Sequence, residues 1–228
     1  MLQFLENIII AGFIQIKGFL THQKILTASQ NLELSQKKLL LKILQNQKNT
    51  RYGNEHQFST ITSVEEFREK VRVHEYEFFR PYIVSQDLYK TFDLNNHHPI
   101  TYVVTSGTTG KPKYLPVFRE TLDNHKSMQQ LFCYFLMKVR PKFIKGHILA
   151  IVSPGVEGYL EGSGSPYGST SGHMYEEMSP IVKRKYLIPP QIFAIENAEL
   201  KYLSILRIAL QSDNITYVTT ANPSTLTR

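Results

Sequence analysis

The chain has 228 residues, of which 42% are hydrophobic and 20% charged, so a sizeable core can form in one large domain or two small ones. This composition excludes a largely disordered chain. The formal net charge of +7 suits anionic partners. Its densest basic clusters, Lys37–Lys38 and Lys183–Lys185, are short, however, which argues against a nucleic-acid-binding protein.

Cys133 is the single cysteine of the chain. An internal disulfide is therefore impossible, and the sequence predicts a reducing, cytoplasmic location. Because Cys133 lies in an apolar helical stretch, we expect a small core residue rather than a nucleophile.

The first 20 residues include the strongly apolar segment FLENIIIAGFIQIKGFL. Its uninterrupted apolar part is shorter than the roughly 20 residues that span a bilayer, and Lys17 lies inside the segment. Glu6 precedes the apolar run, where a signal peptide would carry basic residues. We therefore predict a first helix packed on the domain and no transmembrane segment. A helix lying on a membrane surface is the alternative.

Residues 1 to about 80 carry helical patterns. Leucine and isoleucine recur at helical spacing from Leu32 to Leu44, with lysines between them. Ser63 and Glu66 form a capping-box pattern ahead of a further helix. We predict a mainly helical N-terminal segment.

Residues 81–228 alternate between strand and helix patterns, which predicts α/β architecture. The predicted strands are Pro99–Val104, Tyr114–Val117, His147–Val152 and Ile215–Thr220. A long amphipathic helix is predicted around residues 128–139, and another helix over Glu199–Gln211. Six glycines between Gly155 and Gly172 predict a long irregular loop.

The last eight residues, ANPSTLTR, contain a helix start, with Asn222 as the N-cap and Pro223 at the first helical position. A helix of one turn is marginal on its own. We therefore expect this chain to be the N-terminal part of a longer protein.

The segment TSGTTGKPK, Thr105–Lys113, follows a predicted strand and combines glycines with hydroxyl and basic side chains. It is not a Walker A loop, because two residues rather than four separate its glycines. Glycines let backbone N–H groups approach an anion closely, and the hydroxyl groups add donors. Lys113 would add a positive charge for the β- and γ-phosphates.

The residues predicted to bind phosphate are Thr105, Ser106, Gly107, Thr108, Thr109, Gly110 and Lys113. From residue chemistry alone, a hairpin turn with surface lysines is an equally weighted alternative, since short Gly/Ser/Thr loops are common.

The same segment matches, at every position, the [ST]-[ST]-G-[ST]-T-G-x-P-K phosphate loop of the adenylate-forming superfamily. Three further pieces occur in the order NTRYGNEHQFSTITSVEEFREKVRVHEYEFFRPYI, GSGSPYGSTSGHMYEEM and ANPSTL. They resemble the auxin-responsive-promoter family of acyl-acid amido synthetases in a bacterial-type version. The resemblance covers nearly the whole chain from about Asn49. It implies part of the large N-terminal domain of an adenylate-forming enzyme, incomplete at its C-terminus.

The resemblance implies a ligase that uses ATP and Mg²⁺. A carboxylic acid would be activated as an acyl-adenylate and then joined to an amine or amino acid. Lys113 would be the catalytic residue, because it neutralises the leaving pyrophosphate. The alternatives are a fragment of an acyl-CoA-type ligase, or a non-catalytic truncated remnant or nucleotide-binding module.

Two further nucleotide motifs of the superfamily have no match in this sequence. The ribose motif ends in Gly-Asp, a pair that the chain lacks. Tyr167–Gly172, YGSTSG, is similar to the adenine motif, but Ser171 stands where an acidic residue is expected. The resemblance therefore transfers the phosphate loop only.

Several weaker candidates have ordinary structural explanations. His97 and His98 lack an accompanying cluster of metal ligands and read as surface histidines. Ser153 and Ser163 have no His/Asp pattern that would make either a nucleophile.

An apolar stripe on the helix around residues 128–139 could line a pocket for an acyl group. Core packing is the prediction that we favour for such a stripe. Its residues are Met128, Phe132, Phe135 and Met137.

Overall fold

The computed structural model describes residues 2–105 and 112–220. This part of the chain contains both helices and strands, as the predicted α/β architecture requires. The helices are α1 Leu2–Gln30, α2 Leu32–Gln47, α3 Arg51–Glu55, α4 Val64–Lys70, α5 Tyr76–Tyr89, α6 Arg119–Val139, α7 Thr170–Glu176, α8 Pro180–Lys183, α9 Pro190–Phe193 and α10 Ala198–Leu210. The strands are β1 Thr101–Thr105, β2 Lys113–Val117, β3 His147–Ile151, β4 Gly158–Tyr159, β5 Pro166–Gly168 and β6 Ile215–Thr220.

The described residues divide into two compact units. The first unit is formed within Met1–His22, Leu122–Gly158 and Gly168–Arg228. The second unit is formed within Gln23–Thr121 and Tyr159–Tyr167.

Among the described residues, side chains cap the starts of five helices, which explains why those helices begin where they do. Each cap oxygen accepts a hydrogen bond from the backbone N–H three residues later. The capping residues are Asn31 for α2, Thr50 for α3, Ser63 for α4, Ser169 for α7 and Asn197 for α10.

The predicted capping box at α4 is confirmed at its serine and differs at its glutamate. The Ser63 hydroxyl oxygen accepts from the Glu66 N–H at 3.1 Å. The Glu66 carboxylate accepts from the Thr62 N–H at 2.7 Å, one residue ahead of the cap. That hydrogen bond is the main cause of a lowered pKa for Glu66.

The sheet of the second unit has the strand order β2-β1-β5-β4. Strands β1 and β2 are antiparallel and in register from Thr101↔Val117 to Thr105↔Lys113. Strand β2 lies at an edge of this sheet. The Thr101 hydroxyl, which is buried, donates to the Pro166 carbonyl of β5 at 3.0 Å. The core of this unit gathers around Leu44, Tyr52, Phe58 and Ile61.

In the first unit, β3 and β6 form a parallel pair. Parallel neighbours need a long crossover connection, and the residues between these two strands supply it with helices α7 to α10. One core cluster is built from α1, α6 and the segment that follows α6. Its buried residues are Ile10, Ile14, Tyr134, Phe143 and Ile144.

Helix α1 packs in this unit with only one side. Ile10 and Ile14 are buried, whereas Phe4, Ile9 and Ile16 are each more than half exposed. By length and composition alone, Phe4–Gln30 could cross a membrane, a test that core helices and signal sequences also pass. The packed side agrees with the predicted first helix.

The prediction of a long irregular loop over the glycine-rich stretch is wrong. Strands β4 and β5 and the start of α7 lie within it. Its glycines permit close backbone contact: a Cβ atom at Gly168 would collide with the Gly155 carbonyl oxygen, and one at Gly172 with the Gly155 nitrogen. Only glycine fits backbones at this separation.

Helix α5 continues past Pro81 to Tyr89, so the predicted boundary between the helical segment and residues 81–228 falls inside a helix. Pro81 is the sixth residue of this helix, and without an N–H it donates no hydrogen bond to the preceding turn. The helix start predicted at Asn222 and Pro223 lies outside the described residues.

Candidate functional site

The two ends of the predicted phosphate-binding segment lie opposite each other in the sheet. Thr105 is the last residue of β1 and Lys113 the first of β2, and they are register partners. Thr105 is half-buried and Lys113 is exposed. The other predicted contacts, Ser106, Gly107, Thr108, Thr109 and Gly110, lie outside the described residues.

Lys113 is placed next to an aromatic ring from a distant helix. Its Nζ lies 5.7 Å from the ring centroid of Tyr76, the first residue of α5. The Tyr76 hydroxyl accepts from the Tyr114 N–H at 2.9 Å and donates to the Tyr114 carbonyl at 3.0 Å. The residue after Lys113 is therefore fixed to α5 through both of its backbone groups.

Arg80 contacts the same ring and the same strand. Its guanidinium carbon lies 4.8 Å from the Tyr76 centroid, and its Nη1 donates to the Pro112 carbonyl at 3.2 Å. Its Nε and Nη2 each donate to the Glu77 carboxylate at 2.7 Å. The hydrogen bonds to this carboxylate raise the pKa of Arg80.

A cavity of about 380 Å³ adjoins these residues within the second unit. Its wall combines four tyrosine rings with aliphatic and charged side chains. The lining residues are Tyr76, Arg80, Ile83, Val84, Asp87, Leu88, Tyr114, Tyr159, Leu160, Glu161 and Tyr167.

The buried carboxylate of the cavity wall, Asp87, already has partners from the protein. It accepts from the Ser165 hydroxyl at 2.5 Å, and the Lys90 ammonium lies 3.6 Å away. Burial, together with the nearby Asp87 charge, raises the pKa of Tyr102. These contacts connect α5 to the segment between β4 and β5, and they indicate a structural role for Asp87.

The histidine pair occupies the positions expected of surface residues. His98 stacks on Phe92 with centroids 4.8 Å apart, and the His97 side chain is 60% exposed beside Glu120. Over residues 2–105 and 112–220, no group of three or more His, Cys, Asp or Glu side chains could hold a metal ion.

Cys133 packs against the core cluster of the first unit, as predicted. Burial raises the pKa of its thiol to about 11. A thiol with so high a pKa is almost entirely protonated near neutral pH, which makes it a poor nucleophile.

The core packing predicted for the α6 stripe is wrong for three of its four residues. Met128, Phe132 and Phe135 are 42–54% exposed, and only Met137 packs on the core cluster. Residues 131–137 are apolar on several sides of the helix, so periodicity does not identify the side that packs. The structure buries Tyr134 instead.

Tyr76 and Arg80 are the residues of this site that sequence reasoning did not identify. Their spacing places them on one face of α5, which is a weak signal because many helices carry such pairs. Nothing local links them to Tyr114, which lies 38 residues further along the chain than Tyr76.

Two comparisons with known proteins bear on the family and the fold of this chain. A model described as the GH3 family N-terminal domain matches residues 21–228. The chain belongs to the GH3 family. This is the family of acyl-acid amido synthetases that the sequence motifs resemble. No curated protein matches the chain.

This GH3 chain is also similar to a solved structure, GH3.15 acyl acid amido synthetase. The TM-score is 0.71 at 21% sequence identity, and the match covers 86% of this chain and 35% of that chain. The likeness shows the shared α/β fold. The chain spans about a third of the length of this solved relative.

Proposed function

We propose that this chain is part of an ATP-dependent ligase that joins a carboxylic acid to an amine or amino acid. The observation that carries the proposal is the exposed Lys113, opposite Thr105 at the ends of the TSGTTGKPK segment, in a GH3 chain. The name of the solved relative, an acyl acid amido synthetase, supports the same class of reaction.

The described residues around Lys113 fit the phosphates of ATP. Lys113 offers an exposed ammonium group, whereas the nearby guanidinium of Arg80 is already paired with the Glu77 carboxylate. The described chain provides no cluster of carboxylate ligands for a metal. Mg²⁺ would accompany ATP, bound by its phosphate oxygens, and it would neutralise phosphate charge.

In the first step, an oxygen of the acid attacks the α-phosphorus of ATP. The bond from this phosphorus to the bridging oxygen breaks, giving acyl-adenylate and pyrophosphate. In the second step, the amine nitrogen attacks the acyl carbonyl, loses a proton and releases AMP. Lys113 contributes to the first step by stabilising the charge that develops on pyrophosphate.

ATP binding by the 228-residue chain tests the role of Lys113. We expect isothermal titration with Mg²⁺–ATP, or with Mg²⁺–pyrophosphate, which needs only the phosphate-binding segment, to show binding. Lys113→Ala should weaken it by about tenfold, because a charge-assisted contact is lost. The matched control is Lys42→Ala on α2, which removes an exposed lysine that is far from Lys113 in the sequence. Equal affinity of Lys113→Ala and wild type would show that the assignment is wrong.

An ATP–pyrophosphate exchange assay with a panel of carboxylic acids separates the catalytic and non-catalytic alternatives. Acid-dependent exchange supports the ligase, and Lys113→Ala should abolish it. ATP binding without exchange favours a truncated remnant or a nucleotide-binding module. Where exchange occurs, product analysis with amino acids and with coenzyme A distinguishes an amido synthetase from an acyl-CoA ligase.

A further inference from the structure

The edge strand β2 has a backbone unit that the sheet itself cannot satisfy. In an antiparallel pair, alternate residues of an edge strand direct both backbone groups away from the partner strand. Tyr114 is such a residue, since its N–H and its carbonyl both bond to the Tyr76 hydroxyl. One side chain of α5 therefore completes the hydrogen bonding of β2 immediately after Lys113.

A second contact from α5 holds the residue on the other side of Lys113. The Pro112 carbonyl accepts from Arg80 at 3.2 Å. Arg80 itself is held by the Glu77 carboxylate and by the Tyr76 ring. The backbone on both sides of Lys113 is thus anchored to one turn of α5.

The Tyr76 ring also lies close to the side chain of Lys113. The ammonium of Lys113 lies 5.7 Å from its centroid, within the range where a cation is attracted to the face of an aromatic ring. Such an attraction restricts the side chain without neutralising it, so the charge stays available to an anionic ligand.

We propose that Tyr76 is a positioning residue for Lys113. Its hydroxyl fixes the strand edge that carries the lysine, and its ring holds the ammonium group at the end of the phosphate-binding segment. This inference rests on the proposed ATP-binding role of Lys113. It assigns to α5 a function in nucleotide binding, although this helix lies well before the phosphate-binding segment in the sequence.

Two readouts on the 228-residue chain test the proposal. Reductive methylation with ¹³C labels every lysine and keeps its charge; Lys113→Arg identifies the Lys113 signal. We expect that signal to be shifted upfield by the Tyr76 ring. Tyr76→Phe, which keeps the ring but removes the hydroxyl, should reduce the shift, and Tyr76→Leu should abolish it. Titration of the unmodified proteins with ATP should show about a fivefold weaker affinity for Tyr76→Leu.

The matched control is Tyr89→Leu at the other end of α5, where the tyrosine is 74% exposed. It should change neither the Lys113 signal nor the ATP affinity. Thermal unfolding establishes that each variant is folded. If Tyr76→Leu does not fold, the NMR signal of Lys113 in the wild-type protein tests the proposal, because an unshifted signal overturns it.

The outcomes separate this inference from the proposed function. A Lys113 signal that is the same in wild type and Tyr76→Leu overturns the positioning role. So does an unchanged ATP affinity in Tyr76→Leu when the wild type binds ATP. Failure of the wild type to bind both ATP and pyrophosphate overturns the proposed function and this inference with it, whereas the NMR shift still reports whether the ring contact exists.

Discussion

Single residues of this chain owe their chemistry to the groups around them. Lys113 is exposed and lies over a tyrosine ring, so its charge remains available to a ligand. Cys133 is surrounded by apolar side chains, and burial makes its thiolate unfavourable. The same principle separates a residue suited to binding an anion from one suited to core packing.

The raised pKa of Cys133 predicts slow alkylation. At pH 8, a thiol with a pKa of about 11 rather than 9.0 has about a hundredfold less thiolate. Iodoacetamide should therefore modify the folded chain about a hundredfold more slowly than the same chain in denaturant, as measured by mass spectrometry. The rate should rise with pH up to about 11.

The same shift affects stability in a defined direction. Because the folded state retains the thiol proton at higher pH than the unfolded state, the contribution of Cys133 to stability is present below about pH 9. It decreases as pH rises from about 9 to about 11. Equal alkylation rates in the folded and denatured chains would contradict the burial of this thiol.

Elements of the chain begin and end according to local hydrogen bonding, but their packing depends on close contacts that are not local. The five helix caps are local, since each joins residues three apart. The glycines around α7 are different, because their role is set by backbone from another part of the first unit.

Two glycine substitutions, each in a helix, separate the local effect of the residue on the helix from the effect of close contact with distant backbone. Gly172→Ala in α7 should lower the free energy of unfolding by about 2 kcal/mol, because its Cβ would collide with the Gly155 backbone. Gly12→Ala in α1 should raise it by about 0.5–1 kcal/mol, since no atom lies within 4 Å of the added Cβ.

Denaturant unfolding followed by circular dichroism measures both effects. The two variants add the same methyl group to helices of the first unit, so each is the control for the other. A stabilising Gly172→Ala would show that the backbones near Gly155 are further apart than the structure indicates.

The chain as a whole exposes many large apolar side chains. On α10 they include Leu200, Leu203, Leu206 and Leu210, each more than half exposed, and α1 adds others. Soluble monomers seldom expose contiguous apolar surface of this kind. This GH3 chain spans about a third of its solved relative.

These exposed side chains predict that the 228-residue chain on its own binds apolar probes and associates at micromolar concentration. Fluorescence of an apolar dye and sedimentation velocity would measure the two properties. Replacing Leu203 and Leu206 by Glu should reduce both, because the apolar surface becomes charged. Replacing Lys201 of the same helix by Glu is the control, and equal association in both variants would contradict the prediction.

Much of the fold could be predicted from the sequence because its information is local. Periodicity identified α2, α6 and α10, and β-branched and aromatic residues identified β1, β3 and β6. The segment from Thr105 to Lys113 was found in the same way, as a short pattern of residue types, and its family assignment follows from the match over residues 21–228.

What only the tertiary structure decided is which distant residues meet. Tyr76 contacts Lys113 and Tyr114. Tyr134 is buried, whereas Phe132 and Phe135 are exposed. The glycine-rich stretch forms packed elements instead of a loop. The physical reason is that hydrophobic packing is non-directional, and an edge strand accepts any donor or acceptor that the fold brings to it. The sequence by itself determined the local elements, the loop motif and the family, whereas the surroundings of Lys113 were decided by contacts between residues far apart in the chain.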